Sequence, residues 1–228
     1  MLTRVSDDVL LRGMWYAIQQ AGYLFDHAVI LFDAGVYSSA VALALFGREE
    51  LGRYAILCDL WRKASAGSAF SPDDVRKACE DHVEKQRRGS FSLIYRTSAD
   101  TGFGKLLRSL VGLLPSGGAA RKIRESIEKI DKLKAKRLPE ERHGARMRSL
   151  YVDLNEAGLD WLTPSSITEG EARATVEDAV NDYSVQRDRL TTPGILAAVD
   201  PDLARAFESW GDRPALPEVR RPQYLQPP

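Results

Sequence analysis

Apolar residues recur at intervals of three and four along most of this chain, the spacing of one face of an α-helix. Over residues 7–33 the stripe is Leu11, Met14, Trp15, Ile18, Ala21 and Phe25, and Gly35 just beyond it suits a helix C-terminus. A second helix is predicted over 38–63, with Ser38 as its cap. From Ala40 to Phe46 nearly every position of that helix is apolar, so it has no polar side and is expected to be buried. Ser71, Pro72, Asp73 and Asp74 combine a cap, a first-turn proline and N-terminal acids, which predicts a third helix from there to about residue 88. Glycines at 102, 104, 112, 117 and 118 interrupt the pattern around a short helix over 105–114. Ile123, Ile127, Ile130 and Leu133 mark a helix over 119–137, and another covers 140–150. Residues 151–154 read as extended, followed by a turn-rich connector through Pro164. Thr168 and Glu171 fit a capping box opening a helix to about residue 190, and a short helix is expected over 202–210.

Long helices joined by short connections favour antiparallel neighbours, so the fold class is all-α, an antiparallel helical bundle with additional C-terminal helices. We divide the chain into one helical domain over 1–210 and a Pro-rich tail over 211–228. Five prolines in those last eighteen residues predict a segment that wraps the surface or is disordered.

Composition narrows the function classes. The 228 residues are 44% hydrophobic and 28% charged, enough to bury a core without staples. With 32 basic and 32 acidic residues the formal charge is zero, so no whole-chain field draws nucleic acid. Residues 121–148 carry a local excess of six positive charges, which reads either as a solvated helix face or as a track for a phosphate backbone. Aromatic residues are missing from this stretch, which gives no support to base stacking there. Cys58 and Cys79 lie in predicted helices without metal spacing and read as core or half-buried thiols in a reducing cytoplasm, although sequence alone leaves a disulfide open. No basic and apolar leader is apparent, and no apolar stretch reaches spanning length, so a cytoplasmic chain away from membranes is expected. No three-ligand metal set, phosphate-cradling glycine loop or nucleophile elbow is present, and no cofactor is expected.

The candidate chemistry starts at Glu49 and Glu50, which end the apolar run and are followed by Arg53. Charges drawn toward an apolar interior need partners. Glu49 and Arg53 are four apart and can pair on one helix face. Either they form a buried salt bridge that orders the bundle, or the acids position a base from another helix. Gly47 and Gly52 would let that helix approach closely. His82 is the foremost such base. On a regular helix it lies over Val75 and Cys79, with Lys85 nearly a turn on and Arg76 six residues back, rotated by about 120°. It is a satisfied core histidine or a general base between cations. His143, among Arg142, Arg146 and Arg148, ranks below it, and His27 reads as structural.

Three segments in order resemble one family. Glu49-Glu50-Leu51-Gly52-Arg53 resembles the Glu-Glu-hydrophobic-Gly-Lys/Arg signature of AbiV-type abortive infection proteins, with Arg53 in place of the more usual Lys. His82 and Lys85 resemble its His-x-x-Lys element. Arg148-Ser149-Leu150-Tyr151-Val152-Asp153, then Trp161, Pro164 and Ile167, resembles its third segment, and the likeness runs over residues 20–184. The resemblance implies a HEPN-like bundle, bacterial anti-phage defence, a homodimer, and metal-independent ribonuclease chemistry through an Arg-x(4–6)-His motif, which Arg76 and His82 satisfy in spacing. In that scheme His82 is the base on an RNA 2′-hydroxyl, and Arg76 or Lys85 stabilises phosphate charge. Glu49 and Glu50 hold them with help from Arg53. Tyr151 and Asp153 close one side, and Arg142, Arg146 and Arg148 guide RNA. The alternative it leaves is a non-catalytic bundle that captures a phage protein, with the tail and the basic face as contact surfaces. A third is a regulatory partner of a neighbouring effector.

Overall fold

The structure is a computed structural model that describes residues 4–89, 139–154, 158, 160–192 and 194–225. The helices predicted over 105–114 and 119–137 lie outside the described residues. Helix α1 (Asp7–Asp33) opens at Ser6, whose side chain accepts the Val9 amide, and ends before Gly35 at φ +75°. Glycine meets that left-handed conformation at little cost. After a three-residue connection α2 (Tyr37–Ser65) begins, and the two helices pack as an antiparallel hairpin. Phe25 lies against Gly47, and Leu57 against Gly13. Val36, not Ser38, occupies the N-cap of α2, and no side chain caps it. As its all-round apolar character requires, α2 is the buried centre, with Ala40, Val41, Ala44, Leu45 and Leu51 almost inaccessible.

The predicted third helix is two helices, α3 (Pro72–Ala78) and α4 (His82–Arg88). Asp81 makes the break. Its side chain accepts the amides of Val83 and Glu84 and restarts the chain as a new N-cap. His82 is therefore the first residue of α4, not one that follows Val75 and Cys79 on a continuous face. A helix over 139–150, here α5, leads to a small hairpin of β1 (Asp153–Leu154) and β2 (Trp161–Leu162), antiparallel in the register Asp153 to Leu162.

Helix α6 (Glu169–Thr191) carries the predicted capping box of Thr168 and Glu171. It runs alongside α2 in the same direction, since Arg48 meets Asp178 and Asp182 while Arg62 meets Asp200 just past its end. Two short helices follow, α7 (Ile195–Val199) and α8 (Pro201–Ser209), where one was predicted. Phe207 of α8 packs edge-on to Trp15 at 5.2 Å between ring centres.

Residues 211–225 of the tail run along the helices. Trp15 Nε1 donates to the Pro214 carbonyl at 2.7 Å, Tyr183 Oη to the Pro217 carbonyl at 2.7 Å, and Arg220 forks onto Asp26 at 2.7 and 2.8 Å. The segment follows α1 from Trp15 to Asp33, where Gln223 donates its amide to the Asp33 carboxylate. Both cysteines are free, Cys58 buried with its thiol pushed up to about 11 by that burial. Among the described residues no helix is long and apolar enough to cross a membrane.

Candidate functional site

Close contact between α2 and α4 builds the site. A Cβ at Gly52 would collide with the Lys85 carbonyl, and one at Gly89 with the Arg48 carbonyl, so glycine at both places allows backbone to touch backbone. This contact buries Lys85 and Gln86 of α4 against α2. Gln86 donates to the Leu45 carbonyl at 2.9 Å, which fixes the height of α4 along α2.

Glu49 is the centre. Its carboxylate is 5% exposed, and four donors from two other helices surround it. His82 Nδ1 lies 2.6 Å from Oε2 and Lys85 Nζ 3.6 Å from the same oxygen, while Arg146 Nε from α5 is 3.3 Å from Oε1 and Gln86 Nε2 is 3.4 Å away. The His82 side chain is 47% exposed although its partner is buried. A carboxylate only accepts, so His82 Nδ1 donates to Glu49, and in the neutral ring the lone pair is on Nε2. Lys85 and Arg146 are buried beside the carboxylate, so the part of the cluster open to solvent is the His82 ring.

The remaining predicted residues divide by place. Arg53 pairs with Glu50, not with Glu49, at 3.4 Å. Glu49 is already turned toward α4 and α5, and Arg53 lines a cavity of about 690 Å³ between α1, α2 and α3. Burial pushes the Glu50 carboxyl above its ordinary range, opposed by Arg53 and Lys85. Arg76 lines that same cavity and pairs with Asp73 on its own helix. The break at Asp81 separates Arg76 from His82, and the structure does not bring the two together. Tyr151 is exposed after α5, and Asp153 is exposed on β1; among the described residues neither is bonded to the Glu49 cluster.

Of the basic stretch, three cations are among the described residues. Arg142 and Arg146 are buried, and Arg148 pairs with Glu171 at 2.9 Å. Residues 121–137 of that stretch lie outside the described residues. Arg142 joins a second ionic layer beneath the site, pairing at 2.7 Å with Asp178, which Arg48 also reaches at 2.7 Å. Arg48, fully buried, is ion-paired with Asp182 as well. Burial, then the neighbouring charge of Arg48, draws the Arg142 guanidinium down to about 10.

Sequence reasoning passed over Arg48, Gln86, Asp178 and Asp182, and ranked His143 low. Asp178 and Asp182 did carry a signal, two acids one turn apart on a helix whose neighbours Val176, Ala179 and Tyr183 are buried. His143 sits on α5 with its ring centre 6.3 Å from that of His82.

A family model described as AbiV, of the HEPN type, matches residues 9–183. No curated protein and no solved structure matches the chain.

Proposed function

This chain belongs to the HEPN AbiV family, whose name is that of abortive-infection defence, and on that premise we propose that it is a metal-independent endoribonuclease acting against phage-infected growth. The observation that supports this most is the His82–Glu49 contact of 2.6 Å, with the imidazole open to solvent and the carboxylate buried. A buried carboxylate holding Nδ1–H fixes the ring and leaves Nε2 as an outward base, the arrangement a general base needs. Phosphodiester cleavage then runs by attack of the ribose 2′-oxygen on phosphorus, His82 Nε2 taking the hydroxyl proton. The P–O5′ bond breaks, and His82 returns the proton to the departing 5′-oxygen. Lys85 and Arg146 offset the Glu49 charge behind the imidazole. Arg76 has no part in this scheme, since Asp73 holds it elsewhere.

Expression of wild type and His82→Ala in bacteria tests the assignment. Wild type slows growth and yields RNA fragments with 2′,3′-cyclic phosphate ends, and the variant does neither. Equal toxicity or equal cleavage removes His82 from the reaction. Capture of a phage protein remains the competing function, and the tail offered for it has its Pro214 and Pro217 carbonyls engaged on α1 and α6.

A further inference from the structure

His143 has no part in that scheme, yet it is wired to it. Its Nδ1 is 3.4 Å from Arg146 Nη2. A guanidinium only donates, so His143 Nδ1 accepts, and the neutral ring carries its proton on Nε2. His82 has the reverse arrangement, with Nδ1 donating to Glu49. Arg146 Nε is 3.3 Å from Glu49 Oε1, an ion pair and not an aligned hydrogen bond, and through that pair His82, Glu49, Arg146 and His143 form one chain of polar contacts. Both Nδ1 atoms are tied to the central ion pair, so both Nε2 edges point away from it.

We propose that this chain holds the two imidazoles in opposite tautomers and that the gap between them is a phosphodiester site, in which His143 donates from Nε2 to a non-bridging oxygen of the phosphate that His82 acts upon. The chemical part rests on the ribonuclease reading; the tautomers and the anion site do not. Ring centres 6.3 Å apart suit one phosphate between them, each hydrogen bond to its oxygens being about 2.8 Å. As the P–O2′ bond forms, the hydroxyl proton moves to His82 Nε2. As the P–O5′ bond breaks, that proton passes to the 5′-oxygen. His143 keeps its proton throughout and stabilises the charge that gathers on the equatorial oxygen. The products are a 2′,3′-cyclic phosphate and a free 5′-hydroxyl.

Nitrogen-15 spectra of the full chain in alkaline buffer, where imidazole is neutral, distinguish the two tautomers. The expected result is Nδ1–H at His82 and Nε2–H at His143, with both rings shifting on addition of inorganic phosphate or a nucleoside 3′-monophosphate. The same tautomer at both rings, or an added phosphate that moves His82 and leaves His143 unchanged, overturns the proposal. In cleavage, His143→Ala lowers kcat about 100-fold, and His143→Gln, whose amide also donates, recovers at least about tenfold of it. Wild-type rates in His143→Ala overturn the role of His143 while the His82 assignment stands. A wild-type protein that cleaves no RNA overturns the ribonuclease reading, and the phosphate titration alone then decides the anion site.

Discussion

Glu49 is one carboxylate with four donors, and the cost of losing it exceeds that of losing any single partner. Lys85 and Arg146 are both buried, so Glu49→Gln leaves two cations without their counter-charge. Breaking a buried pair in this way costs about 3 kcal/mol or more. His82→Ala removes a ring that is 47% exposed and should stay within about 1 kcal/mol of wild type. Urea unfolding of the two variants checks this contrast, and equal losses would place the structural weight on His82 instead. The sequence made Glu49, His82 and Lys85 legible because charges near an apolar run demand partners. It did not reveal Arg146 as one of them, since Arg142, Arg146 and Arg148 look alike until burial separates them. Arg48 hid in plain view, a cation inside the most apolar segment whose partners stand more than a hundred residues away.

At the scale of elements, the approach of α4 to α2 is what makes a site of these residues. Gly52→Ala would drive a methyl group into the Lys85 carbonyl, and helix backbone cannot yield as a side-chain tip can. The expected result is a loss of about 3 kcal/mol together with loss of RNA cleavage, because His82 and Lys85 shift as a unit. Thermal unfolding alongside an activity assay checks both, and full activity in a stable Gly52→Ala protein would contradict the close-packed geometry. The sequence marked α1, α2 and α6 nearly to the residue, α1 by its apolar stripe, α2 by an apolar run on all sides and α6 by its capping box. Periodicity missed the break at Asp81. Seven residues on either side are too few to reveal a change of phase, and Asp81 reads equally well as a helix-surface acid or as a cap. The Arg-x(4–6)-His spacing alone joined Arg76 to His82 on paper, a regular helix already rotating them apart, and Asp73 holds Arg76 on α3.

Over the whole molecule, the tail acts as a strap across α1 and α6. Removing residues 214–228 leaves Trp15 and Tyr183 without acceptors and uncovers the buried Leu216 contact, which should cost about 3 kcal/mol. Any cleavage activity should persist at temperatures where the shortened protein is folded, since no tail residue joins the Glu49 cluster among the described residues. The strap also makes stability depend on acidity. The Arg220 guanidinium holds the Asp26 carboxyl below its ordinary range. A carboxyl depressed in the folded state stabilises above its unfolded pKa and loses that contribution as pH falls through the folded value. Arg220→Ala should therefore lower stability at neutral pH by less than about 1 kcal/mol, and the difference from wild type should vanish in strong acid. Proline content announced an irregular segment at this end of the chain, but five prolines carry no information about which helices their neighbours will grip.

A carboxylate shared among three helices also restricts how such a sequence can drift. Replacement at position 49 strands positions 85 and 146 together, and a neutral residue at either of those leaves 49 with one ion-pair cation fewer. Among diverging relatives these three positions should change in concert or not at all. Arg76 and Arg148, each tied to one exposed neighbour, are free to vary singly. An aligned set of relatives in which 49 varies independently of 85 and 146 would show that the shared anchor was never under joint constraint.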